Sequence, residues 1–283
     1  MYDKCGPRQR ARREFTTTLP TLGHIGATVH PEREPVPAPA VATPDVSVVV
    51  MTYNEAESLA DVVHEIRDEL AGSDATYEVL VVDDGSNDGS ATVADTLAAE
   101  DARIRVIHHQ ANAGLGGVYR SGFTQSRGRY LTFFPADGQF PAHIIGQFLP
   151  LMGNHDLVLG YIPQTRTSMV GKFLSAMERI LYTLLFGGFP RFQGIMMLRR
   201  ELLGELRLVS TGRGWAIVME FILRASHGGY RIASEPTAYR PRMHGTSKVN
   251  NLRSISSNFT QLLALRCRMW GSRTADFRTQ DPS

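Results

Sequence analysis

Hydrophobic positions follow two alternating rhythms along this chain. Between residues 46 and 162, short runs rich in Val, Ile and Leu are separated by longer segments whose apolar residues recur every three or four positions. The short runs read as strands buried on both faces, the longer segments as amphipathic helices. VSVVVMTY (46–53) is the first run, and behind a capping candidate, Asn54, the residues Leu59, Val62, Val63, Ile66 and Leu70 fall on one helical face. EVLVVDDGS (78–86) leads into a helix carrying Val93 and Leu97, and RIRVIHH (103–109) into a helix that follows the Gly-rich NAGLGG. YLTFFPADG (130–138) precedes a helical pattern over 142–152, and DLVLGYI (156–162) closes the series. Strands separated by helices of this length predict βαβ units, so the expected fold is α/β with a mostly parallel central sheet flanked by helices.

The rhythm is absent at the N-terminal end. HPEREPVPAPAVATPD mixes Pro, Ala and charge without period and cannot repay its ordering entropy by burial, so residues 1–44 read as a disordered tail. The folded domain is expected over 45–250, followed by an amphipathic helix and tail over 251–283. The most apolar run, ILYTLLFGGF (180–189), is too short to span a bilayer, and the arginines near the N-terminus precede no apolar core segment of the secretory kind. A formal net charge of +2 on 283 residues gives no basis for nucleic-acid binding. Cys5 and Cys267 stand far apart and outside any CxxC spacing, which points to neither a disulfide framework nor zinc and fits a reducing cytoplasmic home.

Chemistry is expected where strands end, because ligands of open α/β sheets sit at the carboxyl ends of strands. A dinucleotide fingerprint would place G-x-G-x-x-G directly after the first strand, where this chain has MTYNEAES. No P-loop is present. DGSNDG (84–89) imitates a calcium loop, but Asp95 stands where the bidentate Glu belongs and a strand precedes it, so it reads as a strand-to-helix turn. Asp84 has two readings, a ligand contact or an Asx turn or N-cap with Ser86 and Asp88. Asp137, at the end of the buried run YLTFFP, is either a site carboxylate or a turn residue before Gly138.

VSVVVMTYNEAESL, EVLVVDDGSNDGS, NAGLGGVYRSGF, PADGQ, DLVLGYI, the G-x-x-x-x-R-R segment from Gly194, GWAIVMEFILRASHGGYRI and RMHGTSK occur in this order. Together they resemble the motifs of family 2 glycosyltransferases of GT-A fold, in particular the dolichol-phosphate mannose synthase branch, over roughly residues 45–250. The resemblance implies a nucleoside-diphosphate sugar site in which Thr52, Tyr53, Glu55, Asp84, Ala136 and Asp137 face the nucleotide sugar. It also implies a divalent Mg²⁺ or Mn²⁺ held by Asp137 and Gln139. The family usually has D-A-D-x-Q here; this chain has Pro135 in place of the first Asp. Such a cation needs only one or two carboxylates when substrate phosphates and water complete its octahedron, so metal use survives that loss.

For the acceptor, the resemblance implies a polyprenyl phosphate, inverting transfer, and a loop in which Arg242, Ser247 and Lys248 bind phosphate; a solvated basic loop is the alternative. Glu220 matches an acidic position of the branch and is the candidate base, or else a buried, paired acid. PRFQGIMM departs from the branch's Asp–x–x–Ser–Gly-like run, which leaves open a soluble small-molecule acceptor, and Pro135 leaves open a non-catalytic nucleotide-sugar-binding protein that has lost its metal chemistry. Segments 169–188 and 251–270 carry apolar faces sprinkled with Lys and Arg, suited to peripheral membrane contact or to packing on the domain or a second subunit.

Overall fold

β-Branched side chains are stiff at χ1 and fit a pleated, buried surface, and VSVVVMT accordingly forms β1 (Val46–Thr52) in the interior of the sheet, with Val46, Val48, Val49 and Val50 fully buried. The structure is a computed structural model that describes residues 43–163, 183, 187–241 and 266. All lie in the second of the two units into which the chain divides, Ala42–Ser283. Residues 1–42, most of the apolar stretches 169–188 and 251–270, and Arg242, Ser247 and Lys248 fall outside the described residues.

The first half follows the expected alternation. After β1 come α1 (Leu59–Ala71), β2 (Tyr77–Asp83), α2 (Ser90–Glu100), β3 (Ile104–His108), α3 (Gly114–Gln125), β4 (Tyr130–Pro135) and α4 (His143–Phe148), the last running into a 3₁₀ turn over Leu149–Gly153. β5 (Leu157–Tyr161), β6 (Met196–Arg199), the short α5 (Leu202–Glu205), α6 (Ala216–His227) and β7 (Ile232–Pro236) complete the described elements. The sheet order is β3-β2-β1-β4-β6-β5-β7. β1 to β4 are mutually parallel, β5 pairs parallel with β7, and β6 runs antiparallel between β4 and β5.

Side-chain alternation sorts the core into two layers. Val48, Val50, Val79, Val81 and Phe134 pack on one face with Leu59, Val63, Ile66 and Ile145 of α1 and α4. Val49, Leu80, Val82, Leu131 and Phe133 pack on the other with Val118 and Tyr119 of α3 and Val218, Phe221 and Ile222 of α6. Helices therefore cover both faces, which is why the strands read as continuous apolar runs rather than alternating ones. The buried face of α1 comprises Leu59, Val62, Val63, Ile66 and Leu70, the expected set; each such side chain contributes about 1.5–3 kcal/mol on burial.

Candidate functional site

Because β1 is flanked by β2 on one side and β4 on the other, the chain order reverses beside it and its carboxyl end opens at a topological switch point. The loops leaving β1, β2 and β4 meet there. Asn54 is not the cap of α1; it lies in the left-handed region with φ 54°, and Ser58 takes the N-cap position instead. Asn tolerates this conformation better than most residues, and it turns the loop so that successive backbone groups meet the DGSNDGS segment. The N–H of Asn54 donates to Ser86 Oγ (2.9 Å), that of Glu55 to Ser90 Oγ (3.0 Å) and that of Ala56 to Asp88 Oδ2 (3.0 Å), while Asn54 Oδ1 accepts from the Asn87 N–H (2.9 Å). Burial pushes the Asp88 carboxyl up, but bonds from Ser90 and from the Ala56 and Ser90 N–H groups outweigh it and hold Asp88 below the ordinary carboxylate range.

The two acids of the DD pair serve different partners, and the local bond to the following turn is made by the first of them. Asp83 Oδ1 accepts from the Ser86 N–H (3.1 Å), and Asp83 Oδ2 meets His108 Nδ1 (3.1 Å), whose Nε2 meets Asp95 Oδ1 (3.0 Å). Hydrogen bonds to Asp95 and Asp83 raise the His108 pKa. Asp84 turns toward α3 instead. Its Oδ1 accepts from the Ala113 N–H (2.8 Å) and from His109 Nδ1 (2.7 Å), and its Oδ2 from the Gly114 N–H (2.8 Å). Asp84 thus caps, from 30 residues away, the helix whose own N-cap Ala113 has no side-chain bond to give. With 3% of its surface exposed, it can offer a ligand no more than a remaining lone pair.

The glycines of NAGLGG seat a protein segment rather than a phosphate. A Cβ on Gly116 would overlap the carbonyl oxygen of Gly212, the Gly116 N–H donates to Arg213 O (2.8 Å), and Arg120 Nη1 reaches Gly212 O (3.1 Å). Residues 212–214 therefore lie directly on the start of α3. Glu220, the expected base, holds the backbone a few residues before that segment, at 209–210. It is fully buried on α6 and accepts from the Val209 N–H, the Ser210 N–H (2.8 Å) and Arg224 Nε (2.7 Å). A carboxylate so enclosed has no path to an acceptor, and the geometry makes Glu220 a positioning residue.

Asp137 follows the half-buried Pro135 that ends β4 and the buried Ala136, and accepts on Oδ1 from the Gln139 N–H (3.1 Å). Ala136, expected at the nucleotide sugar, is 1% exposed; its N–H donates to Met51 O (3.0 Å) and its C=O accepts from Ser58 Oγ (2.6 Å), which ties α1 to this loop. The segment after β7 closes the other side, an arrangement that nothing in the sequence signalled. The Arg240 N–H donates to Gln139 O (2.8 Å), the Arg240 guanidinium grips Glu65 (2.7 and 3.1 Å), and the Gln139 amide bonds Tyr239 Oη. Tyr53 and Tyr239, 37% and 46% exposed, are the large aromatic side chains left open among the described residues, and both stand at this edge. Thr52, at the end of β1, is 1% exposed and its hydroxyl has no partner among the described residues.

Among the described residues no group of three His, Cys, Asp or Glu side chains comes together as a metal cage. Asp83 and Asp84 are committed elsewhere, so the donor set at the β4 end is Asp137 with the Gln139 amide. That set fits Mg²⁺ or Mn²⁺, which bind through one or two carboxylates plus substrate phosphates, and it fits zinc or calcium poorly.

The model of glycosyl transferase family 2 matches residues 47–207, more than half of the chain. Glycosyltransferase AglD of Haloferax volcanii is 30% identical over 254 residues, 86% of this chain and 39% of that protein, so the chain spans well under half of that relative. Undecaprenyl-phosphate mannosyltransferase of Micrococcus luteus is 31% identical over 218 residues, 72% of this chain and 87% of its own length. Among solved structures, the mannosyltransferase PcManGT of Pyrobaculum calidifontis, in complex with GDP-Man and Mn²⁺, superposes with a TM-score of 0.56 at 17% identity over 81% of this chain and 65% of that one. Glucosyl-3-phosphoglycerate synthase of Mycobacterium tuberculosis, with Mn²⁺, UDP and glucosyl-3-phosphoglycerate, gives 0.57 at 20% identity over 80% and 81%. The fold is GT-A, and with its sheet, its ordered motifs and the family match in agreement, the chain belongs to glycosyl transferase family 2.

Proposed function

We propose that this glycosyltransferase moves a hexosyl unit from a nucleoside-diphosphate sugar to the phosphate of a polyprenyl lipid at a membrane surface. The observation that carries the acceptor half is the enclosure of Glu220. A hydroxyl acceptor needs a general base, whereas a phosphate oxygen is already anionic and attacks unaided. The relative named for undecaprenyl phosphate supports the same class of acceptor, and no helix of the described residues is long and apolar enough to cross a membrane.

In the reaction, the acceptor phosphate oxygen forms a bond to the anomeric carbon from the face opposite the donor diphosphate. The bond from that carbon to the diphosphate oxygen breaks, and the nucleoside diphosphate leaves with the electron pair. Tyr53, exposed just beyond β1, offers a ring face for the base. The knitted 53–58 and 84–90 loops hold this residue without reorganisation. A divalent cation bound by Asp137 and Gln139 would supply charge neutralisation at the diphosphate.

A thermal-shift series with UDP and GDP, each with and without Mn²⁺, tests the donor half, since a ligand that binds only the native state raises apparent stability. One nucleotide should give a metal-dependent rise that Asp137→Ala abolishes; a rise indifferent to metal and mutation refutes the role of Asp137. Turnover that requires polyprenyl phosphate in vesicles supports the acceptor, and equal turnover on a soluble alcohol refutes it.

A further inference from the structure

A carboxylate has about four lone-pair sites for hydrogen-bond donors. On Asp84 three of them are taken, two on Oδ1 by Ala113 and His109 and one on Oδ2 by Gly114. The two backbone donors come with the start of α3 and would be present whatever stood at position 109. The third is a side chain that the glycosyl-transfer chemistry does not otherwise require. His109 is held from three directions. Its backbone N–H donates to Asp83 O (2.9 Å), its Nδ1 meets Asp84 (2.7 Å) and its Nε2 meets Ser121 Oγ on α3 (2.8 Å). Facing an acceptor-only carboxylate, Nδ1 carries the proton, so Nε2 is the acceptor and the Ser121 hydroxyl donates to it. Its side chain is 15% exposed and that of Asp84 4%, so water does not compete freely for these bonds.

We infer that His109 is a positioning and specificity-determining residue for the donor nucleotide, because it fills Oδ1 and leaves Asp84 a single acceptor lone pair, on Oδ2. A carboxylate free to rotate would accept from water or from two ligand groups; one restrained in this way receives one N–H or O–H of the nucleoside in one direction. The inference rests on the proposed function, in which Asp84 faces the nucleotide. Asp84 sets the tautomer and Ser121 holds the ring plane, so the relay reaches from α3 through the imidazole to the carboxylate.

Calorimetric titration of UDP and GDP into the full chain with Mn²⁺, alongside steady-state kinetics, tests it. Wild type is titrated first: binding of neither nucleotide refutes the proposed function and takes this inference with it. Given wild-type binding, His109→Ala should raise the donor Kd and KM about tenfold, the lower end of what loss of an orienting partner costs, with kcat within about twofold. His109→Asn places an amide N–H where the ring Nδ1–H stood and should recover most of that affinity. Ser121→Ala, which removes no group from the carboxylate, should weaken binding by a smaller factor and keeps the idea testable if His109→Ala does not fold. Unchanged Kd in folded His109→Ala or, failing that, in Ser121→Ala overturns the inference. Equal loss in His109→Ala and His109→Asn does so too, since the ring would then act by packing alone.

Discussion

Glu220→Ala would remove a buried carboxylate that three donors share, and its cost can be worked from those partners. The Val209 and Ser210 N–H groups and Arg224 Nε lose their acceptor together, and Arg224 is itself 3% exposed. Breaking a buried ion pair by deleting one partner costs about 3–5 kcal/mol, a large share of the roughly 5–15 kcal/mol that stabilises an ordinary domain. The better helix propensity of Ala returns only about 0.4 kcal/mol. Glu220→Gln keeps one carbonyl-type acceptor but turns an N–H toward another donor, so its cost should be about 1–3 kcal/mol. Equilibrium unfolding in urea, followed by far-UV circular dichroism, reads these as a fall in midpoint at constant slope. The double variant Glu220→Leu with Arg224→Met should recover much of the loss, because well-packed apolar replacements of a buried pair are often neutral. Residual turnover per folded Glu220→Gln molecule should stay within about tenfold of wild type, whereas loss of a general base costs about a hundredfold or more. An unchanged midpoint with turnover cut that far would refute the positioning role and restore Glu220 as the base.

Gly116→Ala should drive its methyl group into the Gly212 carbonyl oxygen and lift residues 212–214 off α3; overpacking of this kind costs about 1–3 kcal/mol, read as a lowered urea midpoint with weaker nucleotide binding. His108 should make stability pH-dependent. Its folded pKa is raised by Asp95 and Asp83, so its contribution is complete below the ordinary imidazole value of 6.5 and is lost as pH rises through the higher folded value. His108→Gln should flatten the stability profile across that window while leaving acid unfolding in place; an identical profile in the variant would show that the His108 bonds contribute nothing.

The order of strands and helices in the first half of the domain, and the five-residue buried face of α1, were legible because hydrophobic period reports local burial directly. The place of Asp137 at a strand end was legible for the same reason. Period carries no information on which elements become neighbours, so the antiparallel β6 between β4 and β5 was not visible in it. Asn54 read as a cap because Asn favours caps, and only the DGSNDGS loop folded against it makes the left-handed turn worthwhile. Glu220 carried an ambiguity that residue type cannot resolve, and burial with Arg224 and the 209–210 backbone resolved it. The partners of the Asp84 carboxylate lie 25 to 30 residues away, and the Glu65 carboxylate that the Arg240 guanidinium grips lies 175 away on α1. Chain order thus determined the elements and the edge where chemistry collects. Tertiary packing decided what each polar group touches, because a hydrogen bond is set by approach within about 3 Å, and that approach depends on sheet order rather than on sequence spacing.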